Sequence, residues 1–444
     1  MPNKLHSLLF LLFLIFFVAA APLALLYSEG YRYDFDDNEV VKTGGLSFKV
    51  KPQVRAKVYL NGERKKKVNG WTYSAYINAL HPETYEVNVQ EEGFHPWSKK
   101  MKVKQGKVTE AKNILMVPKS PQLEKEIENL HSFKFAPNDK KLIYQDTEQS
   151  LNIYNFEEDT TKEVGFPTSS SIKWGPESER ILVNTSDNYF VLHEGEKTEL
   201  ILPSDAKGIS FNPDDPTKIF YTRNEKEGLL KLDYSEEDSK PTPTIMHYLD
   251  YELTPEGIFW LSSSGQIHQS DFSGSIQSTL SKEALPIEKK NYKILREGGK
   301  TLIKAGELLY SLTEEGEFKK LASDVNRVKF SPHVQKAALI SDYEINVVYL
   351  NKQYGQPRKE KYDKDFINRF SSQIEKVSWF GSHHLIFNLK NSNKIKISGI
   401  DNRSQINMVN YLSSDFQNWY WNEAQKAFYF LKNQTLYRNS FLNS

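Results

Sequence analysis

The 444-residue sequence contains no cysteine, and its positive and negative charges almost cancel. Without cysteine the chain cannot form disulfides, thiolate zinc sites, iron–sulfur clusters or a cysteine nucleophile. With 58 Lys and Arg against 57 Asp and Glu, it also lacks the basic excess of nucleic-acid-binding proteins, so no nucleic-acid partner is expected. An extracytoplasmic, oxidising compartment is compatible with this composition.

Long apolar runs are also scarce, and the sequence has one, "LHSLLFLLFLIFFVAAAPLALL" from Leu5 to Leu26. It is about the length of a bilayer-spanning helix and has no Asp, Glu, Lys or Arg between Lys4 and Glu29. We therefore predict a cytoplasmic stub and transmembrane anchor over residues 1–27 and a juxtamembrane linker over 28–43. Lys4 precedes the span and an acidic segment follows it, which predicts a cytoplasmic N-terminus and an extracytoplasmic bulk.

A cleaved signal peptide is the alternative interpretation of this segment. Its core from Leu8 to Val18 has a suitable length, and small alanines follow. However, Pro22 would follow the cut after Ala21, and the apolar run continues to Leu26. These features favour the anchor, and both interpretations place the rest of the chain outside the cytoplasm.

Residues 44–118 alternate between apolar and polar side chains, as in "TYEVNVQ" from Thr84 to Gln90. Such alternation predicts strands with one dry face, which pack as a sandwich. Asn61-Gly62 predicts a hairpin turn, because both central positions of a type I′ turn need positive φ.

The segments "KPQVRAKVYLNGE" (51–63) and "LHPETYEVNVQEEGFHPWSKKMKVKQG" (80–106) resemble the PEGA domain, a small immunoglobulin-like sandwich of bacterial and archaeal envelope proteins. The resemblance implies a bacterial envelope spacer or interaction module without catalytic residues. Within it, "ERKKKV" (63–68) is interpreted as a solvated hairpin tip in preference to a basic claw for anionic polymers. Trp71, Tyr73 and Tyr76 are expected to pack in the core or at its edge, with a sugar-stacking platform as the alternative.

The rest of the chain, residues 119–444, is built from repeats like "FKFAPNDKKLIY". In each repeat two apolar or aromatic residues lie two positions apart in the sequence, and a turn and an apolar strand follow them. The copies start at Phe133, Ile172, Ile209, Tyr251, Tyr292, Val328, Val377 and Trp419, at spacings of 39, 37, 42, 41, 36, 49 and 42 residues. This period of short strands predicts a β-propeller of eight blades, or of seven because the fifth and eighth copies are weaker.

The repeats resemble the divergent WD-repeat-like motif of bacterial propellers, which implies four strands in each blade. The last copy leaves room for only three strands, whereas the segment "SPQLEKEIENL" (120–130) precedes the first copy without a partner. We therefore predict that residues 120–130 supply the outer strand of the last blade and remove an open edge.

Catalytic motifs are missing from the sequence. There is no G-x-S-x-G elbow, P-loop, H-E-x-x-H, dinucleotide fingerprint or EF-hand loop. The adjacent His383 and His384 are interpreted as part of a turn and not as metal ligands, because successive strand residues face opposite sides. "NPDDP" (212–216) is interpreted as an Asx-rich turn in preference to a calcium site. No catalytic, cofactor-binding or metal-ligating residue is assigned, and no cofactor is expected.

Three classes of function remain open. The pattern favours a non-enzymatic binding or scaffold protein, anchored in the membrane, whose propeller contacts an envelope protein or a cell-wall glycan. A propeller-type glycan-active enzyme is one alternative, but the innermost strand starts such as "FKF", "IKW" and "VKF" carry lysine where acidic residues would be required. A purely structural envelope component is the other.

Overall fold

The computed structural model describes residues 2–35, 38–165, 171–185, 188–223, 228–288 and 291–440. The chain is mainly β and starts with one helix, α1 (Pro2–Ser28). The segment of residues 6–28 in this helix is long and apolar enough to cross a membrane. A signal sequence can have the same length and composition, so these two properties do not separate the two interpretations. A hairpin of β1 (Tyr31–Asp34) and β2 (Glu39–Lys42) follows directly. Arg32 ties the hairpin to the helix, because its guanidinium lies 3.5 Å above the Tyr27 ring.

Two sheets with a common core come next. One has the strand order β6-β3-β9, with β3 and β9 parallel, and the other has the order β5-β4-β7-β8. Their apolar faces share one cluster that includes Phe48, Val58 and Val87, each fully buried. At the predicted turn, Asn61 and Gly62 have φ values of 49° and 84°, which confirms the hairpin. The strands are β3 (Gly44–Lys51), β4 (Lys57–Leu60), β5 (Glu63–Lys67), β6 (Ser74–Leu80), β7 (Thr84–Gln90), β8 (Trp97–Lys102) and β9 (Val108–Leu115).

Eight four-stranded antiparallel sheets follow, and we number them by their order along the chain. The strand β10 (Glu124–Glu128) precedes the first sheet but belongs to the eighth. The first four sheets consist of β11 (Leu130–Phe135), β12 (Lys141–Asp146), β13 (Leu151–Asn155) and β14 (Thr160–Glu163); β15 (Ser171–Trp174), β16 (Ile181–Asn184), β17 (Tyr189–His193) and β18 (Glu196–Leu200); β19 (Lys207–Phe211), β20 (Lys218–Thr222), β21 (Leu229–Asp233) and β22 (Thr242–Ile245); and β23 (Tyr248–Thr254), β24 (Gly257–Ser262), β25 (Ile267–Ser270) and β26 (Ile276–Thr279).

The last four sheets follow the same strand order. They consist of β27 (Tyr292–Glu297), β28 (Lys300–Ala305), β29 (Leu308–Leu312) and β30 (Phe318–Ala322); β31 (Arg327–Phe330), β32 (Lys336–Ile340), β33 (Glu344–Tyr349) and β34 (Lys364–Arg369); β35 (Ile374–Phe380), β36 (His384–Leu389), β37 (Lys394–Gly399) and β38 (Met408–Ser413); and β39 (Asn418–Asn422), β40 (Ala427–Lys432) and β41 (Thr435–Asn439) with β10. A short 3-10 turn (Pro332–Val334) precedes β32.

Each sheet buries its faces against the next one. Separate hydrophobic clusters join the first sheet to the second, the second to the third, and so on to the eighth. A further cluster joins the eighth sheet back to the first and contains Phe135 and Tyr429. The second strands are therefore covered on both faces; in β32 and β24 every residue is buried.

The predicted closing segment is confirmed by strand pairing. Residues Glu124–Glu128 form β10, which pairs antiparallel with β41, so the eighth sheet has an outer strand from the start of the repeat region. Because β10 occupies the edge of β41, it removes a row of unpaired backbone groups that would otherwise be open to other chains.

Lysine and tryptophan side chains connect neighbouring innermost strands. Lys134 of the first sheet donates from Nζ to the carbonyl of Ile172 in the second sheet at 2.8 Å. Trp174 donates back from Nε1 to the Lys134 carbonyl at 3.3 Å. In the same way Trp379 of the seventh sheet donates to the Lys329 carbonyl of the sixth at 2.8 Å. Lys173 of "IKW" likewise donates to the Ile209 carbonyl of the third sheet at 3.3 Å. The lysines of "FKF" and "IKW" therefore satisfy backbone acceptors of the next sheet.

Candidate functional site

A buried lysine joins the smaller β region to the seventh sheet. Lys99 lies in β8, and only 1% of the residue is exposed. Its Nζ atom donates to the backbone carbonyls of Asp401, Arg403 and Gln405 at 2.8, 2.8 and 2.9 Å. Burial lowers the pKa of Lys99, and the Asp401 carboxylate, 3.9 Å away, opposes that shift. Because an ammonium has three protons to donate, this set satisfies the buried charge, and we call it the lysine clamp.

A second contact comes from the long connection between β33 and β34 of the sixth sheet. Gln356 in this connection donates from Nε2 to the Val108 carbonyl at 2.9 Å and accepts from the Glu110 N–H at 3.0 Å. Arg403, in the connection between β37 and β38, donates to the Glu110 carbonyl at 2.8 Å. β9 is an edge strand, so these side chains pair backbone groups that no neighbouring strand reaches.

Strand β9, the connection between β33 and β34, and the turns before β32 and β36 line an open cleft of about 490 Å³, which we call the junction cleft. A smaller cavity of about 60 Å³ lies beside it, is lined by Lys99 among others, and shares Tyr349 and His383 with the cleft. Ligand sites occur preferentially at such boundaries between domains. Five lining side chains of the cleft are amides, namely Asn113, Gln335, Asn351, Gln353 and Gln356.

The junction cleft also contains a buried lysine of another kind. Lys336 is the first residue of β32, is 4% exposed, and donates from Nζ to one acceptor, the Ser382 carbonyl, at 3.1 Å. Burial lowers the pKa of Lys336 to about 8. The other lysines that line the cleft are paired with carboxylates, Lys112 with Glu110 at 2.6 Å and Lys352 with Glu360 at 2.9 Å.

The two adjacent histidines face this junction. His383 belongs to the turn before β36 and His384 begins that strand, so the predicted turn is confirmed. Burial, assisted by the nearby Lys336, lowers the pKa of His383 to about 4. Burial also lowers the pKa of His384 to about 3. Both rings are therefore neutral at physiological pH and can donate or accept hydrogen bonds in the cavity they line. Across the described ranges, no three His, Cys, Asp or Glu side chains are grouped to hold a metal.

The "NPDDP" segment forms the turn between β19 and β20. Asn212 Oδ1 accepts from the Asp214 N–H at 3.1 Å, and Asp215 Oδ1 accepts from the Thr217 N–H at 3.1 Å. Asp215 also pairs with Lys218. Its oxygens thus serve the turn, which is the Asx-turn interpretation of the sequence.

In the smaller β region, the prediction for Trp71 is wrong. Trp71 is 93% exposed because it lies in a turn, where its N–H donates to Asn69 Oδ1 at 2.7 Å. Tyr73 does pack against the core, whereas Tyr76 is 50% exposed. "ERKKK" forms the fully exposed edge strand β5 and not a hairpin tip; the tip is Asn61-Gly62. Charged lysines are a common protection of such an edge.

The sequence did not identify the junction cleft, although one signal was present. The spacing of 49 residues after Val328 exceeds the other spacings of 36 to 42. The surplus lies in the connection between Tyr349 and Lys364, which carries Gln353 and Gln356. An unusually long connection within a regular repeat indicates a functional loop.

No protein-family model matches the chain. No curated protein matches it. Among solved structures, the WD40 domain of SCAP from fission yeast is similar at 10% identity and a TM-score of 0.43, covering 72% of this chain and 98% of that one. The C-terminal WD40 domain of Sif2 is similar at 10% identity and a TM-score of 0.44, covering 71% and 97%. The β-propeller domain of Myceliophteria thermophila Cps50 (Swd1) is similar at 9% identity and a TM-score of 0.37, and the match covers 71% of this chain and 97% of that one.

Proposed function

We propose that this protein is a membrane-anchored extracytoplasmic scaffold that binds an envelope protein or a cell-wall glycan. In this proposal residues 1–27 anchor the chain, residues 44–118 form a PEGA-like sandwich, and residues 119–444 form an eight-bladed β-propeller. The eight consecutive four-stranded sheets, with the eighth packed on the first, support the propeller. No enzymatic activity is part of the proposal.

The lysine clamp is the observation that carries this proposal. A scaffold has to hold its binding face at a defined position relative to its anchor. Lys99 and Gln356 join the sandwich to two neighbouring sheets through five hydrogen bonds, and Leu115 and Val117 extend the cluster between the seventh and eighth sheets. A flexible linker would leave the propeller free to rotate, whereas these contacts fix it.

Chemical crosslinking of the full chain in its native membrane tests the binding role. After solubilisation, a pull-down is analysed for proteins and for cell-wall glycan. We expect one specific partner, and we expect its recovery to fall when Tyr354, which is 78% exposed beside the junction cleft, is changed to alanine. A matched control is Trp71→Ala, since Trp71 is also an exposed aromatic residue, at 93%, but lies in the sandwich. Recovery of no partner under conditions that preserve the anchor would contradict the proposal.

The absence of cysteine allows a direct test of topology, because a single introduced cysteine has no background. Asn3→Cys places the thiol in the first turn of α1, before the apolar run from Leu5, and Lys65→Cys places it in the exposed strand β5. In intact cells a membrane-impermeant maleimide should label the variant at position 65 only. Labelling at position 3, or at neither, would overturn the proposed orientation.

A further inference from the structure

Lys336 lacks the counter-charge that equivalent lysines have. Among the residues that the structure describes, no carboxylate forms an ion pair with it, and its single hydrogen-bond acceptor is the Ser382 carbonyl at 3.1 Å. Its Nζ atom also lies 5.7 Å from the centre of the Tyr349 ring, a cation–π contact without a formal counter-charge. A buried ammonium normally donates to several acceptors or pairs with an anion, since burial without partners is costly. Lys336 therefore has donor capacity left in the lining of the junction cleft.

The other sheets provide an internal comparison. Four second strands begin with lysine, β12, β20, β28 and β32, so these residues occupy equivalent places in their sheets. Only in β32 is the lysine without a carboxylate among the described residues. The three others are paired, Lys141 with Glu179 at 2.6 Å, Lys300 with Glu314 at 3.6 Å, and Lys218 with Asp215. The turn of the seventh sheet, which faces Lys336, supplies a backbone carbonyl where the second sheet supplies Glu179 to Lys141.

The walls of the junction cleft have a distinct chemistry. Among the described residues that line it, five are amides and none has an aliphatic side chain. Asn351 donates to Gln335 Oε1 at 3.0 Å, and Gln335 Nε2 donates to the His333 carbonyl at 3.2 Å. One N–H of each amide and the second lone pairs of both oxygens are left for other partners. Tyr354 is 78% exposed, and its ring centre lies 5.7 Å from Nζ of Lys352, which lines the cleft.

We propose that the junction cleft binds an acidic saccharide, whose carboxylate pairs with Lys336 and whose hydroxyls bond to the amide side chains. This deepens the proposed function by naming the chemical class of the ligand, and it rests on that function only for the site's place outside the cytoplasm. The Tyr354 ring provides an apolar face for the sugar ring. The carboxylate supplies the counter-charge that Glu179 supplies to Lys141.

The lining favours a saccharide over a peptide. Peptide-binding pockets use apolar walls to hold side chains, and the described lining has no aliphatic residue to form them. Amides offer both donors and acceptors, as the many hydroxyls of a sugar require. The surplus charge of Lys336 selects an acidic sugar over a neutral one.

The test uses the purified full chain in detergent and D-glucuronate as the probe, with binding followed by saturation-transfer NMR and calorimetry. D-glucose, acetate and the peptide acetyl-Ala-Ala serve as comparison ligands. We expect saturable binding of glucuronate and at least about tenfold weaker binding of each comparison ligand. Lys336→Met should abolish glucuronate binding, and Tyr354→Ala and Gln335→Ala should each weaken it about tenfold. The matched control Lys141→Met should leave it unchanged.

Each other outcome counts against the proposal. Failure of glucuronate to bind, or binding unaffected by Tyr354→Ala and Gln335→Ala, would overturn the site, and these exposed variants remain informative even if Lys336→Met does not fold. Equal binding of acetate would replace the saccharide with a general anion, and preferred binding of acetyl-Ala-Ala would replace it with a peptide. These results are obtained in detergent and are independent of the cysteine-labelling test, so failure of the ligand and failure of the proposed topology can be told apart.

Discussion

Lys99 and Lys336 are both buried lysines at the junction between the smaller β region and the ring of sheets, but their surroundings differ. The ammonium of Lys99 donates to three backbone carbonyls at 2.8–2.9 Å. That of Lys336 donates to one carbonyl, at 3.1 Å. The two lysines are similarly buried but differ in their effect on stability. A lysine whose three N–H groups all have acceptors stabilises the junction, whereas one with a single acceptor lowers stability and can still bind a ligand.

A third lysine lies between these extremes. Lys376 of β35 donates from Nζ to Asn418 Oδ1 at 2.9 Å and to the Trp419 carbonyl. Burial, reinforced by Lys329, lowers its pKa to about 8. The number of acceptors, three, two or one, thus orders the three lysines, and substitutions by methionine test whether that number sets their effect on stability.

The largest effect is expected at Lys99. Lys99→Met removes three charge-assisted hydrogen bonds and leaves the carbonyls of residues 401, 403 and 405 buried without a donor. We expect the free energy of unfolding of the full chain in detergent to fall by about 3 kcal/mol. Limited proteolysis between residues 118 and 124 should also become faster, because the clamp no longer holds the two regions together.

Lys100→Met is the matched control for this prediction. Lys100 follows Lys99 in β8, but its side chain is exposed. Its replacement should change the free energy of unfolding by no more than about 0.5 kcal/mol. If the free energy of unfolding falls equally in both variants, the three hydrogen bonds of Lys99 contribute no more to stability than a surface lysine does.

Lys336→Met should act in the opposite direction. A pKa lowered from 10.5 to about 8 corresponds to roughly 3 kcal/mol of unfavourable burial of the charged form, and the lost bond to Ser382 offsets about 1 kcal/mol. We therefore expect this variant to be more stable than the wild type by about 2 kcal/mol at pH 7. Chemical unfolding in detergent measures the difference.

The pH dependence of the stability of Lys336→Met provides a second test of the cost of burying this charge. Because the pKa of Lys336 is lower in the folded state, the unfolded chain binds more protons between about pH 8 and pH 10.5. Wild-type stability therefore rises with pH through this window. The advantage of Lys336→Met should be complete below pH 8 and shrink as the pH approaches 10.5. A destabilised variant, or an advantage that is constant with pH, would show that Lys336 is satisfied in the folded protein.

The architecture was largely predictable, because its signals are local. The apolar run of α1, the Asn61-Gly62 turn and the eight repeats each lie within one short segment, and counting strands predicted that residues 120–130 close the last sheet. Trp71 was wrongly assigned because an aromatic residue in a turn looks the same in sequence as one in a strand. Its neighbour Tyr73 packs against the core as expected.

The junction cleft was not predictable, because its residues come from distant segments. Gln356 bonds to Glu110 across 246 positions of the sequence, and Lys99 bonds to Gln405 across 306. Lys336 was unremarkable as a lysine at the start of a strand, since Lys141 has the same local setting. Only the turn of the neighbouring sheet distinguishes them, and a single sequence does not show which turns meet.

Lys376→Met tests the intermediate case. The variant loses two hydrogen bonds but also removes a buried charge whose pKa is lowered, so the two effects oppose each other. We expect the free energy of unfolding to change by less than about 1 kcal/mol, a value between those of Lys99→Met and Lys336→Met. An effect outside that interval would show that acceptor number does not order the three lysines.

The smallest effect is expected for Lys141→Met, at the place in the first sheet that Lys336 occupies in the sixth. Lys141 pairs with Glu179 at 2.6 Å, and their side chains are 22% and 51% exposed. Ion pairs this close to solvent contribute little, so we expect a loss of about 0.5 kcal/mol that disappears in high salt. Unfolding measured at low and high salt checks both points. A stabilisation like that of Lys336→Met would mean that this strand position disfavours lysine in every sheet. A small, salt-sensitive loss would instead show that Lys336 differs from Lys141 because it has no carboxylate partner. That partner is the group that a bound acidic ligand would replace.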